Sequence, residues 1–204
     1  MTDRTTHWQT VYTTKTETEV SWYQDDPATS LRLIREAGAA SGSRIIDIGG
    51  GASRLVDALL AAGFRALAVL DISEAALATA RSRLGAAGAG VDWIAADVTT
   101  WTPQATYDIW HDRAAFHFLT EQRDRAAYIE RLRSALLPGG AVIIGTFAAD
   151  GPERCSGLPV VRYDAQSLAA TLGPAFTLED SCTEAHRTPW GSVQSFQFCR
   201  LRAC

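Results

Sequence analysis

Residues Ile45-Ile46-Asp47-Ile48-Gly49-Gly50-Gly51 pass from a short apolar run through an acid into three glycines, just ahead of an amphipathic stretch. Glycines at such a junction let the backbone approach a ligand closely, and the start of the following helix offers unpaired N–H donors. The combination makes a nucleotide-type pocket. A second apolar run, Ala66-Leu67-Ala68-Val69-Leu70, ends in Asp71, at about the distance where such folds set an acid against a ribose hydroxyl pair. A dinucleotide site asks for a third glycine where the helix crosses the strand, and this chain reads Gly49-x-Gly51-x-x-Arg54. Asp47, at the strand end, would repel a phosphate. A ribose-bearing ligand with a cationic or zwitterionic portion and no phosphate is therefore favoured over a diphosphate.

S-adenosylmethionine meets that description, with its adenine, ribose, sulfonium and amino-acid tail. The chain resembles the class I S-adenosylmethionine-dependent methyltransferases in five ordered places: Asp47-Ile48-Gly49-Gly50-Gly51, Leu70-Asp71-Ile72-Ser73, Ala96-Asp97-Val98, Tyr107-Asp108-Ile109-Trp110-His111-Asp112, and Leu137-Pro138-Gly139-Gly140 with the apolar run after it. The resemblance implies a cofactor site of Gly49, Gly51, Asp71, Ile72, Asp97 and Val98, with Asp97 meeting the adenine amino group. Asp47 is expected to support the amino-acid tail and His111 to contribute backbone. Trp22 joins the set from an aromatic N-terminal arm, Trp8, Tyr12, Trp22 and Tyr23, read either as core packing or as a lid over the cofactor that excludes water and favours a sulfonium. That arm is somewhat similar to the arm of thiopurine-type methyltransferases. Together with Asp112-Arg113-Ala114 it also resembles elongation-factor lysine methyltransferases, with His111 and Arg113 as departures.

Methyl transfer from a sulfonium is an in-line displacement that depends chiefly on positioning, and a base is needed only when the nucleophile arrives protonated. The polar candidates cluster at His111, Asp112, Arg113 and His117. Asp112 is the first expectation for a catalytic or substrate-orienting role and His117 the second, against an Asp112–Arg113 ion pair and a locally packed histidine. His186 and Arg187 are weaker pocket candidates. Cys155 lies in the loop Glu153-Arg154-Cys155-Ser156-Gly157, expected near the pocket. The four cysteines lack CxxC spacing, so no metal site is expected and reduced thiols are.

The elements that position these residues alternate. Asp26-Pro27 predicts a helix start with Leu31, Leu33, Ile34 and Ala37 inward; further helices are predicted over 53–62, from Ser73-Glu74 through Leu84, after Thr120 with Leu132 and Leu136 inward, and after Asp164. Apolar runs between them predict parallel strands, and the segments 175–182 and 192–201 a closing antiparallel hairpin. This is an α/β, Rossmann-like doubly wound seven-stranded sheet, of family order 3-2-1-4-5-7-6 with strand 7 antiparallel. Ligands bind beyond the carboxyl ends of such strands. One domain is expected over residues 1–204, with an arm and helix over 1–40 and the core over 41–204.

A net charge of −4, with 19 scattered basic residues, gives no electrostatic footprint for nucleic acid. No run reaches the roughly 20 apolar residues of a membrane span, and no signal peptide is evident, so a cytoplasmic protein with no membrane partner is expected, as monomer or homodimer. The sequence favours methyl transfer to a nucleophilic N, O or S of a small molecule. A protein lysine substrate and a non-catalytic nucleotide-binding module are the alternatives.

Overall fold

The computed structural model describes residues 4–204. Its strands are β1 (Ile45–Ile48), β2 (Leu67–Asp71), β3 (Asp92–Ala95), β4 (Tyr107–Arg113), β5 (Leu136–Phe147), β6 (Phe176–Arg187) and β7 (Val193–Ala203). They form one sheet in the order β3-β2-β1-β4-β5-β7-β6, with β7 antiparallel to both neighbours, as the sequence predicts. The helices are α1 (Arg4–Thr14), α2 (Ala28–Glu36), α3 (Leu55–Ala61), α4 (Glu74–Leu84), α5 (Gln122–Ala135) and α6 (Ala165–Leu172). Among the described residues no helix is long and apolar enough to cross a membrane.

Successive side chains of a strand point to opposite faces, so each central strand feeds two cores. Ile46, Ile48, Leu70, Val142 and Ile144 pack with Leu132 of α5 and Leu168 of α6. Ile45, Val69 and Ile143 pack with Leu33 and Ile34 of α2 and Leu55 and Leu59 of α3. The same alternation sorts the polar residues of β4. His111 is the register partner of Asp47 and faces α2 with it, whereas Asp112, one residue on, turns towards α5.

Ser73 and Asp164 cap α4 and α6 as predicted, accepting from the N–H of Ala76 and Ser167. Elsewhere tertiary context moves the boundaries. Pro27 itself is the N-cap of α2, and Glu121 rather than Thr120 precedes α5. Leu136 leaves the helix and opens β5, which runs through Pro138-Gly139-Gly140. Pairing with β7 carries β6 out to Arg187, beyond its apolar part, and shortens the hairpin loop. Arg154-Cys155 pairs with Leu158-Pro159 in a small hairpin that composition does not announce. The N-terminal arm is helical over Arg4–Thr14 despite its threonines, which are poor helix formers. Three of their hydroxyls, those of Thr10, Thr13 and Thr14, bond back to carbonyls one turn earlier.

Candidate functional site

The carboxyl ends of β1, β2 and β4 open into a cavity of mainly apolar lining. Its floor is the glycine bend. Gly49 donates its N–H to the carbonyl of Leu70 at 2.7 Å and has φ +66°. A Cβ there would stand 2.7 Å from Cβ of Ala115, and one on Gly51 would stand 2.6 Å from Oδ2 of Asp71. Side chains at these two positions would fill the cradle or displace the acid, which is the steric condition for a ligand lying on bare backbone. Ile72, Asp97, Val98 and Trp22 line the same cavity as Gly49 and Asp71. Burial pushes the Asp71 carboxyl up to about 7, with Asp47 adding to the shift and the Ser73 N–H opposing it. Asp97 accepts from the N–H and hydroxyl of Thr99 at 2.8 and 2.7 Å and from Arg4 at 3.1 Å.

The roof is the arm. Trp8 packs edge-on against Trp22 and Phe118, with ring centroids 5.5 and 4.9 Å apart, and the Trp22 indole N–H donates to the Tyr12 hydroxyl at 3.1 Å. Side chains far apart in sequence tie it down. Gln9 Oε1 accepts from the Ser73 hydroxyl and the Ala75 N–H, adding a second cap to α4. Glu17 bridges Arg54 at 2.6 Å and Arg83 at 2.5 Å, beside the glycine bend.

Comparison with solved structures places this architecture. A structure described for the conversion of a disulfide bond into a thioacetal group during echinomycin biosynthesis superposes with a TM-score of 0.79 at 18% identity, covering 98% of this chain and 92% of that one. The N-methyltransferase NodS from Bradyrhizobium japonicum, solved with S-adenosylhomocysteine, superposes with a TM-score of 0.73 at 18% identity over 98% of this chain and 99% of that one. Residues 45–140 match a family model described as a methyltransferase domain. Residues 45–140 thus form a methyltransferase domain of the S-adenosylmethionine-dependent kind. Among curated proteins, this methyltransferase is similar to the N-terminal Xaa-Pro-Lys N-methyltransferase 1 of Rattus norvegicus, 29% identical over 152 residues, 69% of this chain and 68% of that protein.

A second, smaller cavity of the methyltransferase lies between the glycine bend and α2, lined by Asp47, His111, Ser30, Gly50 and Trp22. Here the side chain of His111 is engaged. Its Nδ1 lies 2.7 Å from Asp47 Oδ1 and its Nε2 lies 2.9 Å from Ser30 Oγ, all three residues being buried. A carboxylate only accepts, so Nδ1 donates to Asp47, and in the neutral ring Nε2 accepts from Ser30.

Asp112 and His117, for which catalytic roles are expected from the sequence, line neither cavity. Asp112 is wholly buried and accepts from the N–H groups of Ala115 (2.9 Å) and Phe116 (3.1 Å) and from the Tyr128 hydroxyl (2.8 Å). Burial lifts its carboxyl to about 6 and these donors hold it back. The carboxylate fixes the turn Ala114–Phe118, in which Ala114 takes φ +70° and, with Ala115 and Phe118, lines the main cavity. His117 Nδ1 accepts from the Phe147 N–H at 3.2 Å, and burial, helped by the Arg113 cation, pushes the ring down to about 3, so it stays neutral.

The alternative reading, an Asp112–Arg113 ion pair, does not form, because alternation along β4 sends the two side chains to opposite faces. Arg113 lines both cavities; its Nη1 donates to the Trp22 carbonyl at 3.0 Å, and its guanidinium lies 4.4 Å from the Phe196 ring centre. Cys155 also lines the main cavity, but burial raises its thiol to about 11, leaving it protonated and a poor nucleophile. His186 Nε2 donates to the Ser21 carbonyl at 2.7 Å, and with Arg187 lines an outer groove instead of the main cavity. A carbonyl only accepts, so His186 Nε2 carries the proton. Ser30, Arg4, Gln9 and Glu17 escaped the sequence reading, since each matters through a partner distant in the chain.

Proposed function

We propose that this methyltransferase transfers the methyl group of S-adenosylmethionine to a nucleophilic nitrogen, oxygen or sulfur atom of a small molecule. When bound, the cofactor supplies an electrophilic methyl group on a sulfonium. In this reading Asp71 accepts hydrogen bonds from the ribose hydroxyls, and Asp97, with Ile72 and Val98, holds the adenine. Gly49 and Gly51 clear space for the ligand over the bend. Asp47, aligned by His111 and Ser30, faces the ammonium of the amino-acid tail. Asp112 and His117 are positioning residues that hold the wall formed by Ala114, Ala115 and Phe118. Alignment of the nucleophile within the cavity then carries most of the rate, an effect that reaches roughly 7–11 kcal/mol in well-oriented systems.

The observation that carries the small-molecule reading is the roof: Trp8, Tyr12 and Trp22 cover the cavity, so an acceptor must fit beneath them. Their aromatic faces also suit a cationic sulfonium. The echinomycin relative points the same way. The similarity to an N-terminal N-methyltransferase favours a second reading, methylation of a polypeptide nitrogen. A labelled-methyl assay against amines, phenols, thiols and carboxylates, run beside lysate proteins and peptides, separates the two. Label is expected in low-molecular-weight products; label confined to polypeptide establishes the second reading instead.

A further inference from the structure

Resting on the small-molecule reading, we propose that the acceptor carries a carboxylate, and that Arg113 binds it through the side-on fork of Nε and Nη2. The Arg113 side chain is only 12% exposed, yet Nε and Nη2 are buried without a hydrogen-bond partner. Glu184 Oε1 approaches Nη2 to 3.7 Å, beyond hydrogen-bond range, and the same oxygen already accepts from Gln24 at 3.1 Å. A buried donor left unfilled is costly, and two parallel N–H groups on one edge of a guanidinium match the two oxygens of a carboxylate.

The charges along the cavities give this fork a ligand. Arg4 is neutralised by Asp97 at 3.1 Å and Asp124 at 3.2 Å, and Arg54 by Glu17 at 2.6 Å. Arg113, the other cation lining the main cavity, has only the longer, 3.7 Å approach of Glu184. It also lies away from the acids proposed for the nucleoside. Asp71 and Asp97 follow β2 and β3, whereas the Arg113 guanidinium lies over Phe196 of β7, on the other side of β1. With the nucleoside at the acidic end, the space beside Arg113 and Cys155 is left to the acceptor. The Phe196 face supports the cation from below.

A carboxylate here has two sources, the acceptor and the amino-acid tail of the cofactor, and the test separates them. Anthranilate, salicylate and thiosalicylate, each paired with its carboxamide, are titrated into the protein loaded with S-adenosylhomocysteine, with tryptophan fluorescence as readout, and are then assayed for labelled-methyl transfer. At least one carboxylate is expected to bind tenfold or more tightly than its carboxamide. Arg113→Gln should abolish that preference, Arg113→Lys should restore part of it, and Glu184→Gln, which removes the nearest competing charge, should increase it. S-adenosylhomocysteine affinity should change less than threefold in all three variants. Should Arg113→Gln not fold, Glu184→Gln alone decides, and an unchanged preference there overturns the proposal.

Equal binding of carboxylate and carboxamide, or no binding by any carboxylate at millimolar concentration, overturns it too. So does an Arg113→Gln loss of S-adenosylhomocysteine affinity to the level of methylthioadenosine, which lacks the tail and would make the tail the source. Methylation of small molecules regardless of charge removes only the Arg113 assignment. Methylation of peptides alone removes the small-molecule reading beneath it.

Discussion

The glycine bend and the aromatic arm face each other across one cavity and are held in different ways. The bend is fixed by backbone: Gly49 and Gly50 donate to the Leu70 carbonyl inside the sheet, and neighbouring atoms leave no room for a Cβ at 49 or 51. The arm is fixed by side chains that cross the sequence, Arg4 to Asp97, Gln9 to α4, Glu17 to Arg54 and Arg83, and Arg113 to the Trp22 carbonyl. Partly exposed ion pairs of this sort contribute about 0–1 kcal/mol each. The floor therefore moves only with the sheet, whereas the roof can lift by exchanging a few weak ties, and ligand exchange belongs to the roof.

Substitutions in the floor should cost most. Gly49→Ala sets a methyl 2.7 Å from Ala115 Cβ at a positive φ, a strain on the order of 1–3 kcal/mol. S-adenosylhomocysteine binding by calorimetry should fall by roughly ten- to a hundredfold, and unchanged affinity would show that the bend yields. Asp71→Ala should weaken the same ligand at least about tenfold; wild-type affinity removes the ribose assignment.

Asp71 also gives a pH signature. Burial holds its carboxyl near 7 in the folded chain against an ordinary 3.8. Between those values the folded state keeps a proton that the unfolded state releases, so this group's contribution to stability declines as pH rises through the window. Asp71→Asn should accordingly melt higher than wild type above pH 7, the gain vanishing near pH 4, while ligand affinity drops. A melting difference independent of pH would refute this assignment of the burial cost.

Beneath the floor, Tyr128→Phe takes the acceptor from the Trp110 indole N–H, now 2.7 Å away, and a donor from Asp112. A loss of about 1–3 kcal/mol should lower the melting temperature, with ligand affinity within about twofold; a selective fall in turnover would instead return Asp112 to the chemistry. The smallest effect belongs to the roof. Glu17→Gln, which weakens two such pairs, should cost no more than about 2 kcal/mol and speed S-adenosylhomocysteine release a few-fold in stopped flow, an effect that added salt should reproduce in the wild type. A slower release would contradict a lifting roof.

What the sequence revealed follows the same division. The bend, the strand order and the caps at Ser73 and Asp164 rest on local sterics and on periodicity, both written within a few neighbouring residues. The ties of the arm are not so written: the partners of Arg4 and Glu17 become neighbours only when the sheet is assembled. His111 was half legible, because once β1 and β4 are adjacent, register puts it beside Asp47, but Ser30 comes from a helix whose placement a single sequence does not give. Asp112 reads as chemistry in a polar cluster because Tyr128, sixteen residues on, is invisible as its partner until α5 is laid on the sheet.

The outer strand β6 carries a consequence of its own. It pairs with β7 on one side only, so a long row of backbone amides and carbonyls faces outward, a template for strand addition by another chain. A register shift between Leu178 and Asp180 interrupts that row, and Glu179, Asp180 and Arg187 set charges along it. A molecule approaching edge-on meets a kinked, charged border, so the sheet stops growing where the chain ends it, and the protein can accumulate without zipping into fibrous aggregates.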